Sequence, residues 1–242
     1  MLTRSILAVL CLAAVGCGTD EPDAADATPT ATPAATPTPG DEAQRLLPMS
    51  IGASWTYRVT DLATLEVTEK TRAIDAFEDI GGRKTGIAGW RLRVENANGH
   101  SLSWFEDLGE HAGVVRHREQ SYDAAGVLEK DEFYDASKLR VDESDAHRVT
   151  GATWSETYLE TIVETGLPDV SEEEVRNWTV VAALEPITVP AGTFDALRVR
   201  RTSPGGGTDK TSWFVEGIGA VKEYEAGVDD VELTAWSLPE AE

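Results

Sequence analysis

Four histidines, His100, His111, His117 and His147, are the residues best suited to hold a metal or move a proton near neutral pH. Their spacing suits neither task. His111 and His117 stand six apart, which fits neither one helical face nor the i, i+4 pairing of a zinc-binding helix. All four read as surface histidines. The acidic clusters are equally unpatterned. Asp142-Glu143-Ser144-Asp145 offers oxygen ligands but lacks the alternate spacing and the glycine of a calcium loop. Together with Glu172 to Glu174 and Asp229-Asp230, it reads as solvated surface able at most to bind calcium weakly. Gly205-Gly206-Gly207 lacks the Gly-Lys-Ser/Thr ending and the following helix of a phosphate loop, so it reads as a hairpin loop. No serine sits in a Gly-x-Ser-x-Gly elbow. These residues point to no catalytic group, no metal set and no cofactor.

One thiol stands apart. The chain has two cysteines, Cys11 and Cys17. Arg4 precedes an apolar run, Ile6 to Val15, that is too short to span a bilayer, which takes about 20 residues. That is the pattern of a secretory signal. Ala14-Val15-Gly16-Cys17 resembles the lipobox of bacterial lipoproteins, with Ala14 where Leu is commoner. The resemblance implies cleavage after residue 16 and acylation of Cys17 with fatty chains such as palmitate. Cys11 would leave with the signal, so Cys17 would have no disulfide partner in the mature chain. Gly18 replaces the Asp that retains many such proteins at the inner membrane, which favours the periplasmic face of the outer membrane.

Residues 17–45 read as a tether. Acids come first, then Thr28 to Gly40 repeats Thr, Pro and Ala without one large apolar side chain, so it buries no core. The formal net charge is −22. Such a surface repels nucleic acid and anionic headgroups. The expected partners are therefore the membrane, through the acyl chains, and an apolar ligand or an envelope protein, but no nucleic acid.

The elements that would carry any site are strands. Trp55, Tyr57 and Val59 alternate with Thr56 and Arg58, and Trp90, Leu92 and Val94 alternate with Arg91 and Arg93. Ser101 to Glu106, Val114 to Gln120, Val127 to Tyr134, Thr153 to Glu164, Trp178 to Val189, Ala196 to Thr202 and Val228 to Trp236 continue the pattern. Ser171 to Glu174 fits a capping box and predicts a short helix, and Asp135 to Leu139 a helical turn. The fold class expected is all-β with minor helix: a curved antiparallel sheet or half-open β-barrel over residues 46–238.

That domain reads as two related halves, 46–145 and 146–238. Gly52-Ala53-Ser54-Trp55 recurs as Gly151-Ala152-Thr153-Trp154, Leu92-Arg93-Val94 as Leu197-Arg198-Val199, and Ser103-Trp104-Phe105 as Ser212-Trp213-Phe214. Of the seven tryptophans, Trp55, Trp90, Trp104, Trp154 and Trp213 sit in strand patterns. They are either core or the lining of an apolar hollow between the halves.

The pattern Gly52-x-x-Trp55-x-Tyr57, Val189-Pro190-Ala191-Gly192-Thr193-Phe194 and Trp213-Phe214-x-x-Gly217-Ile218-Gly219 resembles a group of uncharacterised bacterial lipoproteins. More loosely the domain is similar to the half-barrel Lol lipoprotein-carrier family, which implies a sheet curled around an apolar cavity. The function expected is non-catalytic binding by a lipid-anchored envelope protein. A structural envelope protein with a filled core is the alternative, and a cell-envelope hydrolase a more remote one.

Overall fold

The computed structural model describes residues 44–109 and 111–239. The signal, Cys17 and most of the tether lie outside the described residues. The rest is one closed antiparallel barrel of twelve strands. They are β1 (Ser54–Asp61), β2 (Val67–Asp79), β3 (Ala88–Asn96), β4 (Gly99–Asp107), β5 (Gly113–Asp123), β6 (Leu128–Asp142), β7 (Thr153–Val163), β8 (Val170–Val189), β9 (Gly192–Thr202), β10 (Asp209–Val215), β11 (Gly219–Glu225) and β12 (Asp229–Ser237). Each strand pairs with its neighbours in sequence, and β1 closes on β12 through pairs such as Tyr57–Leu233 and Val59–Val231. The all-β reading therefore holds, and the curl runs on to closure, so among the described residues every strand has a partner on each side, β6 and β7 over only five residues.

The expected helices are strands. Ser171 to Val175 lies inside β8, where its residues pair with Thr157 to Thr161 of β7, and Asp135 to Leu139 lies inside β6. Cross-strand pairing over ten consecutive residues of β7 outweighs a local capping signal. Among the described residues the helical pieces are 3-10 turns, including Gly82–Lys84 and Asp145–His147.

The recurring motifs fall on corresponding strands. The Trp55 motif opens β1 and its copy opens β7. The Leu92 motif lies on β3 and its copy on β9, and Ser103-Trp104-Phe105 lies on β4 with its copy on β10. Each copy thus falls six strands after its original. Orientation repeats as well. Phe105 pairs with Trp90, and Phe214 with Leu197, on the inward face, while Trp104 pairs with Arg91 and Trp213 with Arg198 on the outward face. In both copies a β-bulge follows the tryptophan, between Trp104 and Phe105 and between Trp213 and Phe214.

A cap closes one end. Leu46 and Met49 are buried with Trp55, Ile74, Phe105, Phe214 and Leu233 in one apolar cluster. The cap is pinned by Arg45, only 3% exposed. Its guanidinium donates to both oxygens of Asp107 at 2.7 Å, and its Nε donates to Glu143. Glu143, 1% exposed, also accepts the backbone N–H groups of Leu46 and Leu47. The fold thus begins at or before Arg45, a residue the composition places in the tether.

The outer wall is charged at mid-height. Arg58 pairs with Glu232, Lys222 with Glu232 and Asp230, and Arg91 with Asp75 and Glu78. A basic side chain facing hydrocarbon costs about 2–4 kcal/mol at the midplane.

Candidate functional site: a cationic belt inside the barrel

Strand alternation decides which side chains enter the barrel. Leu92 and Val94 of β3 pair with Ser103 and Ser101 of β4, and Ser103 pairs with Glu119 of β5. Continuing round, Arg116 pairs with Lys138, Lys210 with Arg201, and Arg72 with Trp55 and Val94. The inward row is apolar next to the cap and turns cationic further along the axis. Lys70, Arg72, Arg116, Lys138, Arg140, Arg201 and Lys210 converge on a cavity of about 250 Å³, with Glu119 the carboxylate among its lining residues.

Three of the seven cations share one partner. Glu223 of β11 is 0% exposed and accepts from Arg72 at 2.8 Å and from Arg140 at 2.5 Å, with Lys210 Nζ at 3.2 Å. Burial alone would raise its pKa, but Arg72, Lys210 and Arg140 outweigh that and hold it well below the ordinary carboxylate value. Arg116 pairs with Glu119, which also accepts from Ser103 Oγ at 2.7 Å. Lys138 reaches Glu160 only at 3.6 Å. Among the described residues, Lys70 and Arg201 have no carboxylate within ion-pair distance, and Arg201 Nε is buried without a hydrogen-bond partner.

Burial first, and then the neighbouring cations, lowers the pKa of these groups. Burial, then Arg116, pushes Lys138 down to about 7. Burial, then Arg72, pushes Lys70 down to about 8. Lys210 and Arg201 are also lowered, by burial first and then, for Arg201, by Arg140 and Arg116. Aromatic faces hold part of the charge in place. Arg116 and Lys138 sit over Tyr134 at 4.9 and 4.6 Å, and Arg201 over Trp178 at 5.4 Å.

The five strand tryptophans do not line one hollow. Trp55 faces inward under the cap and donates to the Ile218 carbonyl. The apolar space it borders amounts to about 20 Å³, too small for a drug-sized ligand. Trp90 faces inward against Phe77, with ring centroids 4.8 Å apart. Trp154 stacks between His147 and Trp178, at 3.9 and 5.8 Å. Trp104 faces outward, donating to Glu78 with Arg118 over its ring. Trp213 also faces outward, against Arg198.

Two surface readings are corrected. His117 is buried, its Nε2 2.8 Å from Glu106, because it occupies a bulge of β5 between inward Arg116 and outward Arg118. Asp142 to Asp145 is not one solvated cluster either. Glu143 is the buried anchor of the cap, and Asp142 accepts from the Ser144 amide and hydroxyl. The belt is not apparent from alternation alone, because a basic residue that alternates with apolar ones ordinarily marks an outer face. Its signal is the alternate spacing of Lys70 with Arg72 and of Lys138 with Arg140.

No family model and no curated protein matches this chain. Among solved structures it is similar to a "putative lipoprotein" from Parabacteroides distasonis, at 12% identity and a TM-score of 0.35, covering 81% of this chain and 99% of that one.

Proposed function

We propose that this chain is a lipid-anchored envelope protein that binds a small ligand inside its barrel without turning it over. The observation that carries the reading is the lined cavity among Lys70, Arg72, Arg116, Lys138, Arg140, Arg201 and Lys210, in a chain of formal charge −22. Gathering that many half-buried cations together is costly unless something on the inside uses them. The tryptophans alone suggest an apolar ligand. The apolar end of the interior is occupied by Leu46, Leu47 and Met49 of the cap, so the place for a ligand is the polar part of the barrel. A purely structural role would be served better by apolar filling than by a cationic cavity.

The anchor is a separate part of the proposal and rests on Ala14-Val15-Gly16-Cys17 and the tether that follows. On this reading the acyl chains on Cys17 hold the barrel to the membrane, and the tether lets it stand clear. The Cys17→Ser variant is expected in the soluble fraction, where the parent chain partitions with membranes. A variant that still partitions with membranes sinks the anchor. Native mass spectrometry of the purified barrel tests the binding part. A retained small molecule supports it, and release of that molecule in chemically altered form speaks against a non-catalytic role.

A further inference from the structure

Resting on the reading of the barrel interior as a binding site, we infer that its ligand is a compact polyanion, a small molecule bearing at least two phosphate or carboxylate groups. The geometry separates the belt into cations already satisfied and cations left over. Glu223 holds Arg72, Arg140 and Lys210, and Glu119 holds Arg116. Lys138 has Glu160 at arm's length, and Lys70 and Arg201 have no ion-pair partner among the described residues. Seven cations therefore face one lining carboxylate, Glu119, with Glu223 and Glu160 paired to them from behind and Glu156 close enough to act on Arg201 and Lys138, which leaves positive charge in excess. A monoanion would leave most of that excess in place, whereas two or more anionic groups offset it.

Side-chain type narrows the class further. Four of the seven are arginines, whose planar forks match phosphate and carboxylate oxygens in pairs. Ser101 and Ser103 add hydroxyls to the lining on the β4 side. The cavity, at about 250 Å³, lies just below the usual range of about 300–1,000 Å³ for small-molecule sites, which suits a compact anion and leaves no room for a polymer chain. It is reached by solvent, since Arg116 and Arg140 are each 20% exposed. Lowered by burial and then by Arg116 and Arg72 respectively, Lys138 and Lys70 lose protons more readily than free lysines, which an incoming anion would reverse.

The test is titration calorimetry and thermal melting of the purified barrel with inorganic pyrophosphate, citrate, orthophosphate and trehalose at matched ionic strength. Vesicles of phosphatidylcholine with phosphatidylglycerol form a separate arm. Pyrophosphate or citrate is expected to bind and raise the melting temperature, orthophosphate to do so weakly, and trehalose not at all. Binding to the vesicles and not to pyrophosphate or citrate would overturn the inference of a free compact anion. In Lys70→Gln and Arg201→Gln, pyrophosphate affinity is expected to fall on the order of 10- to 100-fold each, the range for a charge-assisted hydrogen bond. Their melting temperatures without ligand are expected to stay the same or rise, because each removes a half-buried cation without an ion-pair partner. A merely structural role predicts the opposite, lower melting temperatures and unchanged affinity, and would refute the proposal. If native mass spectrometry instead finds a neutral molecule in the barrel and no polyanion binds, this inference fails while the binding reading stands. If nothing is retained and nothing binds, both fail.

Discussion

Arg45→Ala should be among the most damaging single changes in this chain, although composition alone places Arg45 in a tether. The side chain makes three hydrogen bonds, two to Asp107 and one to Glu143, all in a region from which water is nearly excluded. Truncation leaves two buried carboxylates without their cation. Breaking a buried pair from one side costs about 3–5 kcal/mol, a large part of the roughly 5–15 kcal/mol that stabilises a typical domain. For a barrel of this size that is a fall in melting temperature on the order of 10 °C. The loss should also depend on pH, with a definite sign. Burial raises the Glu143 pKa while Arg45 holds it down. Without Arg45 the carboxyl is expected to titrate higher in the folded state than in the unfolded chain. A carboxyl raised by folding contributes stability at low pH and loses it as pH rises through the folded value. The variant should thus fall furthest behind the parent near pH 8 and recover part of the deficit near pH 5. Urea denaturation at both pH values measures this. A deficit under about 1 kcal/mol at pH 8, or one that does not change with pH, would refute the view that this ion pair pins the cap.

Two further changes probe the barrel wall and the belt. Trp104 and Trp213 occupy equivalent outward positions, but Trp104 Nε1 donates to Glu78 at 3.0 Å, whereas Trp213 Nε1 is buried without a partner. Trp104→Phe should therefore cost about 1 kcal/mol more than Trp213→Phe in urea denaturation, the value of one hydrogen bond. Lys138, lowered to about 7 in the fold, opposes folding most where both states would be charged. Its cost is full below pH 7 and fades as pH rises toward the unfolded value near 10.4. Lys138→Met should accordingly stabilise the ligand-free barrel on the order of 1–3 kcal/mol at pH 6.5, and by less at pH 9.

The strands were legible because alternation is a local signal, and the barrel keeps it around its whole circumference. The repeat was legible for the same reason. Trp55 and Trp154, Leu92 and Leu197, and Phe105 and Phe214 lie six strands apart, and like packing demands on corresponding strands call for like residues. Closure was not legible. It depends on pairing β1 with β12, whose residues lie far apart in sequence, and no local pattern marks an edge that has found a partner. The helix expected at Ser171 failed because three consecutive glutamates mimic a first helical turn, while the pairing that makes them a strand comes from β7. The belt was hidden by a sign convention. In β9, Arg198 and Arg200 do face outward, as an apolar-in reading requires, but Arg201 faces inward beside Lys210. Alternation tells which residues share a face. It does not tell which face is inside when both carry charge.

The distribution of charge, more than its total, bears on what the barrel would take. The chain has 21 Lys and Arg against 43 Asp and Glu, and seven of those basic residues point into one cavity. The outer surface is therefore still more acidic than the composition suggests. On the binding reading, an anionic ligand is repelled at long range and attracted only once it is inside, within a Debye length of about 8 Å of the arginines. Such an arrangement gives up electrostatic steering and gains selectivity. A long polyanion would leave most of its charge against the acidic exterior, while a compact one places all of it within the belt. Salt then acts on the two steps in opposite directions. It screens the outer repulsion and speeds entry, and it weakens the inner attraction and speeds departure. A simple basic patch on an outer surface would have only the weakening, which makes the opposition of the two effects a property of a cationic interior enclosed in an acidic shell.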